Sequence, residues 1–422
     1  MEVMMTHSAT ANNKYFTPIP ISFLTIWIGQ AISLLGSSLV RFAIIWHMTK
    51  TTGSATVLAT ATLVTFVPSI LIGPIAGTLV DRWNRKRILM AADGMIAGVT
   101  AVLALLFAYE SAQLWQIYAL LLIRAIGTVF HNPAMQASTT LMVPEKQYAR
   151  IAGFNSTLRS STGILAPLLG ALLVETISIS TILTIDIVTA CLAIGALFLV
   201  NIPQPKSTPQ SKLNTKQPSI LSELRSGLQF VRNWPGFMML LIIIMFINLV
   251  FSPAATLTPL LVTDHFHGGA LELAWIQSAI SIGSLIGGMM LSIWGGTKRR
   301  IVPSMAALVL LGVSMAAVGF APSALLSLAI GAMFCVGLTI SFGAGLRVAI
   351  IQTVVPPQMQ GRIFTLMGST GSMMAPIGLF LADPVADRWG VPVWYVLCGV
   401  ITAVLGTITF FIPSIMHIED KQ

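Results

Sequence analysis

The chain has 422 residues, of which 55% are hydrophobic and 9% are charged, with a mean hydropathy of +0.86 and a formal net charge of +9. A soluble domain of this length keeps a larger polar exterior, so the composition excludes a soluble globular protein and indicates an integral membrane protein. The positive charge lies in short segments between apolar runs rather than on one soluble face, so no nucleic-acid partner is predicted.

Long apolar segments of about 20 residues, the length that crosses a bilayer as a helix, recur along the chain. They predict an all-α integral membrane protein with twelve transmembrane helices. The predicted spans are residues 20–46, 55–80, 88–109, 114–140, 151–174, 179–201, 236–262, 271–294, 302–320, 323–347, 362–382 and 392–413. The segment before the first span is polar and lacks a signal-peptide pattern, so we expect the first span to be retained.

A long polar segment separates the sixth span from the seventh. We predict a six-helix bundle over residues 20–202, a linker over 203–235 and a second six-helix bundle over 236–414, with tails at 1–19 and 415–422. The first part of the linker is rich in Pro, Ser, Gln and Lys and is expected to be disordered. From Ser219 onward its leucines recur at helical spacing, which predicts a short helix on the membrane surface.

Lysine and arginine are distributed unequally between the two sides of this topology. If the N-terminus is cytoplasmic, the outer loops hold two, Lys50 and Arg388, and the inner loops and linker hold fifteen. The fifteen are Arg82, Arg85, Lys86, Arg87, Lys146, Arg150, Lys206, Lys212, Lys216, Arg225, Arg232, Lys298, Arg299, Arg300 and Arg362. By the positive-inside rule, both termini, both tails and the linker are cytoplasmic, and the expected location is the plasma membrane.

The two halves are related in sequence at an offset of 212 residues. Lys86-Arg87 aligns with Lys298-Arg299, and Arg150-Ile151 aligns with Arg362-Ile363. Because six spans separate the copies, both have the same orientation, and the repeat axis lies along the membrane normal. Two similar bundles that tilt about a site between them are typical of an alternating-access transporter, whereas a channel more naturally forms from several subunits around a pore.

The sequence gives no pattern for a metal site, a cofactor or a catalytic centre. The three cysteines lie far apart inside apolar runs, without CxxC spacing, and there is neither an HExxH motif nor a GxxxxGK[ST] run. We therefore predict no disulfide, no metal, no cofactor and no enzymatic activity. A membrane-embedded enzyme stays a remote alternative, since it would need converging His, Asp or Glu side chains inside the spans.

The window GPIAGTLVDRWNRKR, residues 73 to 87, resembles the signature loop between spans two and three of the major facilitator superfamily. The matching residues are Gly77, Leu79, Asp81, Arg82, Arg85 and Lys86. The resemblance implies a contact between the bundles that we call the latch. In it, Gly73 and Gly77 let span two approach a neighbour closely, and the basic residues hold Asp81 in place. Asp81 then meets the positive end of a helix of the other bundle, a contact that exists only while the cytoplasmic side is closed.

Two departures from the family pattern affect this latch. Asn84 stands where the family usually has Gly, and we expect it to form the tight turn because Asn tolerates a left-handed backbone. In the second half, Ile293 and Trp294 stand where Asp81 and Arg82 would align, so the latch is expected on one side only.

Two further motifs resemble the same superfamily. Arg124, followed by Gly127, is similar to its Arg-x-x-x-Gly motif in span four, with a spacing one residue shorter than in some versions. The run from Gly163 through Pro167 to Gly170 in span five resembles the Gly/Pro motif common in proton-coupled exporters, which implies a bend or pivot. Ordinary packing between spans is the alternative.

The whole chain looks like the macrolide-efflux branch of the superfamily, through segments 43–55, 122–137, 184–193 and 361–379. The resemblance implies a monomeric exporter, driven by protons, for amphipathic organic compounds such as macrolides. An exporter or flippase for an endogenous siderophore or lysolipid remains the alternative, because one architecture serves many substrates.

Buried charges are functional candidates, because a charge inside a span is costly. Asp186 in span six and Arg124 in span four lie at similar depth and are natural partners, either as a proton-coupling pair or as a permanent ion pair. His131 follows Arg124 by seven residues on the same helical face, and it either extends a polar path toward the cytoplasm or packs as a hydrogen-bonded histidine.

For the other charges inside the spans we expect structural roles. Arg41 is expected to reach the headgroups at the outer end of span one, and Arg159 and Arg347 to anchor the cytoplasmic ends of their spans. Asp93 is expected to pair with the basic loop.

The second bundle is almost free of charge and contains adaptable apolar side chains. Of these, Met245, Phe246 and Phe251 are candidates for an apolar substrate pocket, since Met suits bulky ligands. Packing or contact with lipid is the alternative for all three.

Overall fold

The computed structural model describes residues 19–144, 147–203, 234–294 and 299–419, and it describes some helical residues, Asp81 and Arg82 among them, by backbone only. The first bundle consists of α1 (Ile21–Thr52), α2 (Ala55–Leu71), α3 (Gly73–Arg82), α4 (Arg85–Ala108), α5 (Leu114–Met142), α6 (Tyr148–Thr176) and α7 (Ile179–Leu199). The proposed surface helix of the linker lies outside the described residues.

The second bundle repeats this arrangement. It consists of α8 (Pro235–Leu260), a π-helical turn (Leu261–His265), α9 (Ala270–Trp294), α10 (Ile301–Phe320), α11 (Leu326–Val354), α12 (Pro357–Trp389), α13 (Val391–Thr409) and the short α14 (Pro413–Met416). The helices alternate in direction, so the molecule has two ends. We call the end where α7 stops and α8 starts the linker face, and the opposite end the distal face.

The all-α architecture predicted from the sequence is confirmed. Within the described ranges, ten helices are long and apolar enough to cross a membrane. The remaining two predicted spans correspond to the α2–α3 pair and to α12, whose first half is rich in Gly, Ser and Thr. Several helices extend past their predicted ends; α1 continues to Thr52, where Gly53 closes it with a φ of 55° that favours glycine.

The predicted second span over 55–80 is helical with one interruption, since the segment forms two helices separated at Ile72. Pro68 lies inside α2, and a second proline lies in the first turn of α3. A proline donates no backbone hydrogen bond, so α2 ends where this pair of prolines leaves carbonyl groups without helical partners.

The two bundles contact each other through matched pairs of helices: α6 packs on α9, and α2 packs on α12 and α8. Thr56 at the start of α2 donates a hydrogen bond to the Asp383 carboxylate of α12, with distances of 2.9 and 3.0 Å to its two oxygens. This contact lies near the distal face. The bundles are therefore joined on the distal side in this conformation.

Candidate functional site

A cavity of about 780 Å³ lies between the two bundles. Helices α1, α2 and α5 form most of its wall on the first bundle, and α8 and α9 complete it from the second. On the first bundle the lining includes Ser37, Arg41 and Arg124, and on the second it includes Thr256 and Gln277. The cavity is large enough for an organic molecule of drug size.

Asp186 lies beside this cavity at the meeting point of four helices and is only 1% exposed. Its Oδ2 is 2.8 Å from Nη1 of Arg124 on α5 and 3.2 Å from the hydroxyl of Thr100 on α4. Its Oδ1 accepts a hydrogen bond of 2.9 Å from Ser37 on α1. The ion pair predicted from the sequence is present, and both carboxylate oxygens are satisfied, as a buried charge requires.

A glycine allows α1 to come this close to α7. A Cβ atom at Gly36 would lie 2.3 Å from Oγ1 of Thr189 and 3.3 Å from Oδ1 of Asp186. Any larger residue would push the two helices apart and move Ser37 away from the carboxylate. The Asp186 site therefore depends on the small residue that precedes its hydrogen-bond donor.

A second polar cluster contains Gln30, Asp93 and His131. Nε2 of Gln30 donates to Asp93 at 2.8 Å, and Nε2 of His131 lies 3.2 Å from Asp93 and 2.9 Å from Oε1 of Gln30. The expectation that Asp93 pairs with the basic loop is wrong. Its side chain is turned into the bundle, where it is 5% exposed, and sequence depth alone does not give that rotation.

The two clusters are tiers of one arrangement on the same three helices. Gln30 and Ser37 on α1, Asp93 and Thr100 on α4, and His131 and Arg124 on α5 are each seven residues apart. Seven residues are two helical turns, or about 10 Å. This spacing was visible in the sequence, but neutral Ser37, Thr100 and Gln30 gave no signal of their own and were missed.

The basic residues after α3 contact the ends of neighbouring helices on the linker face. Lys86 Nζ donates to the carbonyls of Phe198 and Val200 at the end of α7, at 3.2 and 2.9 Å, and Arg85 donates to the Ala137 carbonyl of α5 at 3.1 Å. Positive charge at a helix C-terminus is favourable because it opposes the helix dipole. These hydrogen bonds connect α4 to α5 and α7.

Three expectations about the signature loop are corrected or not tested. Asn84 is not left-handed: its φ is −67°, and its side-chain oxygen accepts from the Arg87 amide, which caps α4. A Cβ atom at Gly73 or Gly77 would meet no described atom within 4 Å, so no close contact among the described residues requires these glycines in this conformation. The side chains of Asp81 and Arg82 lie outside the described part of the structure.

The Gly163–Pro167–Gly170 run contacts both bundles. Pro167 has no amide hydrogen, so the Gly163 carbonyl, four residues earlier, receives no helical hydrogen bond from it. Ser281 on α9 donates to that carbonyl at 2.9 Å, and a Cβ atom at Gly170 would lie 2.7 Å from the ring of Phe42. The motif is an inter-bundle contact here; whether it also acts as a pivot stays a prediction.

The arginines outside the ion pair occupy three different environments. Arg41 does not extend toward the end of α1 as expected but lines the central cavity. Arg159 is exposed on α6. In α11, Nη1 of Arg347 is buried without a hydrogen-bond partner among the described residues, so interfacial anchoring does not describe its position.

The three apolar candidates on α8 do not line the cavity within the described part of the chain. Phe246 is 51% exposed, and Met245 and Phe251 pack against the apolar core. The cavity surface of α8 comes instead from Ser252, Ala255, Thr256 and Pro259. Met and Phe content indicated an apolar segment but not which face of α8 points to the cavity.

The chain is similar in sequence to bacterial drug exporters over most of its length. It is 34% identical over 401 residues to macrolide efflux protein A of Streptococcus pyogenes, covering 95% of this chain and 98% of that protein. It is 26% identical over 396 residues to the multidrug efflux pump Tap of Mycolicibacterium fortuitum, covering 91% of this chain and 94% of that protein.

The fold is similar to those of solved transporters. The nucleoside transporter NupG matches with a TM-score of 0.71 at 11% identity, covering 92% of this chain and 98% of that one. A bacterial homologue of the human lysosomal transporter Spinster, in an inward-facing and unoccupied conformation, matches with a TM-score of 0.68 at 14% identity, covering 95% and 98%. The family model of the Major Facilitator Superfamily matches residues 26–379. Together with the two-bundle fold and the signature loop, this match shows that the chain belongs to the Major Facilitator Superfamily of membrane transporters.

Proposed function

We propose that this transporter exports amphipathic organic compounds of the macrolide type across the cell membrane in exchange for protons. The observation that carries the proposal is the cavity between the bundles with the buried Asp186–Arg124 pair beside it. The similarity to macrolide efflux protein A over 95% of the chain supports the substrate class. The sequence contains no GxxxxGK[ST] run, which favours an ion gradient over ATP as the energy source.

The two bundles and their distal contact support an alternating-access mechanism. With the linker face in the cytoplasm, as the fifteen basic residues on that side favour, the Thr56–Asp383 contact closes the outer side. Rocking one bundle against the other would break this contact and open the cavity outward. The Asp81 latch would then form on the cytoplasmic side, and Asp81→Asn should increase labelling of cysteine probes from that side. Unchanged labelling on both sides would remove the latch.

Proton exchange is assigned to Asp186. While ionised, its carboxylate holds Arg124, Ser37 and Thr100 together. Protonation removes the charge that binds Arg124, so the guanidinium becomes free to move relative to α7. If each binding or release of a proton changes the helix packing at the cavity wall, the proton gradient is coupled to the movement of the substrate. His131 and Asp93, two turns nearer the linker face, extend this polar path toward the cytoplasm.

The test is accumulation of labelled erythromycin in pump-deficient cells that produce the protein, with and without a protonophore. We expect low accumulation that rises when the proton gradient collapses, and Asp186→Asn should remove the difference. If the protein is present in the membrane but accumulation equals that of empty cells, drug export is contradicted. A growth or lipid-turnover phenotype would then favour an endogenous siderophore or lysolipid. If the protein acts as a monomer, proteoliposomes that contain a single copy each should transport erythromycin.

A further inference from the structure

The two walls of the cavity differ in charge. Among the described residues that line it, the first bundle contributes Arg41 and Arg124, and the second bundle contributes no charged residue. The ion pair with Asp186 compensates the charge of Arg124, whereas no Asp or Glu of the described lining compensates that of Arg41. A cationic group of a ligand is therefore repelled from the Arg41 side of the cavity and directed toward the second bundle.

Gln277 is the residue of α9 that lines the described cavity, and its carboxamide is available to a ligand. Its side chain makes no hydrogen bond with any described residue. The second bundle also contributes the hydroxyls of Ser252 and Thr256 to the wall, and that of Thr256 donates to the Ser252 carbonyl at 3.2 Å. A carboxamide on a longer side chain reaches further than a hydroxyl and offers both an oxygen acceptor and N–H donors.

Two serines of α9 fix the rotation of this helix and therefore the position of Gln277. Ser278 donates to the Ile164 carbonyl of α6 at 3.1 Å, and Ser281 donates to the Gly163 carbonyl at 2.9 Å. These serines are three residues apart and lie on one face of α9, which is the face toward α6. Successive helical residues differ by about 100° in direction, so Gln277 is turned from α6 toward the cavity. The contact between the bundles thus positions the carboxamide.

We propose that Gln277 determines substrate specificity by accepting a hydrogen bond, through its amide oxygen, from the protonated amine of an amphipathic substrate. This inference rests on the proposed export function, because it names the residue that recognises the same substrate in the same cavity. Erythromycin carries a dimethylamino group that is protonated at neutral pH, and an ammonium N–H bound to an amide oxygen forms a charge-assisted hydrogen bond. The amine of the substrate then faces the second bundle, away from Arg41.

The test compares erythromycin with its N-oxide, which has the same macrolactone and sugars but no N–H on this nitrogen at neutral pH. Binding is measured on purified protein in proteoliposomes without a gradient, by labelled erythromycin and by competition with the N-oxide, after subtraction of binding to protein-free liposomes. We expect the wild type to prefer erythromycin. Gln277→Leu should weaken erythromycin binding about tenfold or more and leave the N-oxide nearly unchanged, because the lost bond involves only the protonated amine.

Gln277→Glu keeps the size and the acceptor oxygen, and should bind erythromycin at least as tightly as the wild type. Gln352→Leu is the matched control, since it removes a carboxamide from an exposed position on α11 that does not line the described cavity, and it should change neither affinity. Thermal unfolding checks that each variant is folded.

The ratio of the two affinities separates recognition by Gln277 from a general loss of binding. The same ratio in folded Gln277→Leu and in the wild type would overturn the inference, and erythromycin binding with that unchanged ratio would leave the proposed function standing. Weaker erythromycin binding by folded Gln277→Glu than by Gln277→Leu would also overturn the inference. Failure of the folded wild type to bind either compound would contradict the proposed function, and this inference with it.

Discussion

The two bundles have the same arrangement of helices, yet the contacts that hold their helices together differ. In the first bundle, two tiers of polar side chains join α1, α4, α5 and α7 around Asp93 and Asp186. In the second, glycines bring helix backbones into direct contact: a Cβ atom at Gly283 would lie 2.0 Å from the Phe334 carbonyl, and one at Gly337 would lie 2.0 Å from the Ile280 carbonyl. The first half combines glycine packing, as at Gly36, with polar contacts between side chains, whereas the second half has the closer contacts between helix backbones.

A proton-coupled transporter needs both a group that changes its charge and a bundle that moves as a unit. A group that exchanges protons must change its charge, so its surroundings have to accommodate two states. A bundle that tilts as a unit must instead keep one packing, and helices without side chains between them have little freedom to repack. We therefore propose that the first bundle exchanges protons and that the second moves as a rigid unit. Substitutions in each half can break or sharpen that assignment.

The largest expected effect is from Gly283→Leu on α9. Its side chain has no space against the α11 backbone, so the substitution should destabilise the second bundle by about 3 kcal/mol or more and remove most of the folded protein. The measurement is thermal unfolding in detergent together with the amount of protein in the membrane. Gly331→Leu on α11 is the control, because Gly331 is exposed and has nothing within 4 Å of its Cβ position. Equal stability of the two variants would contradict the role of backbone packing.

The next effect concerns the charges of the first bundle. Asp186→Asn leaves the partly buried Arg124 without its counter-ion, which should cost about 3 kcal/mol and reduce proton-driven erythromycin efflux to background. The double variant Asp186→Asn with Arg124→Gln removes both charges and should recover stability but not proton coupling. If the double variant regains coupled efflux, the pair is only structural. Asp264→Asn, an exposed carboxylate of the second half, is the control and should change neither property.

The third expected effect is that the two polar tiers contribute to stability independently of each other. They are about 10 Å apart along each helix, so the stability losses of Asp93→Asn and Asp186→Asn should add to within about 0.5 kcal/mol. Thr100→Val with Asp186→Asn is the contrasting pair and should deviate from additivity, because the two side chains are 3.2 Å apart. Thermal unfolding of the single and double variants gives both numbers. A coupling energy above about 1 kcal/mol between Asp93 and Asp186 would show one continuous network.

The sequence predicted the parts of this picture that depend on composition and depth. Apolar length predicted the all-α membrane fold, and the rarity of charge inside spans identified Asp186 and Arg124 as partners. Depth does not give helix rotation, which explains why Asp93 was assigned to the basic loop and Arg41 to the headgroups. For the same reason the sequence did not show that Met245, Phe246 and Phe251 lie off the lining of the described cavity; whether they bind substrate stays a prediction.

The neutral hydrogen-bond partners of the buried carboxylates could not be predicted from charge and depth. Ser37, Thr100 and Gln30 are ordinary residues in an apolar helix until the fold sets them beside a carboxylate. The break in the second span was visible as a pair of prolines, but a proline inside a membrane helix can either kink the helix or end it. Both the neutral hydrogen-bond partners and the break in the second span depend on packing between the helices, which cannot be read from the sequence.

The smallest expected effect is at the contact between the bundles. Ser281 of the glycine-packed bundle donates to the Gly163 carbonyl, which has no helical partner because Pro167 follows four residues later. Ser281→Ala should cost about 1 kcal/mol in the distal-closed conformation and shift the access equilibrium up to about fivefold toward distal opening. The measurement is labelling of Met48→Cys, which lines the cavity in the distal half of α1, by an impermeant thiol reagent from the distal side in a background without other cysteines.

Ser292→Ala is the control for that shift, because among the described residues the Ser292 hydroxyl bonds only to the Gly288 carbonyl of its own helix. Faster labelling with Ser281→Ala than with Ser292→Ala would mean that the bond holds the bundles in the distal-closed state and is broken in the other state. Equal labelling would mean that the Gly163 carbonyl keeps an equivalent partner in both conformations. The second bundle would then slide along α6 without releasing it, and the pivot would have to lie elsewhere than at the Gly163–Pro167–Gly170 run.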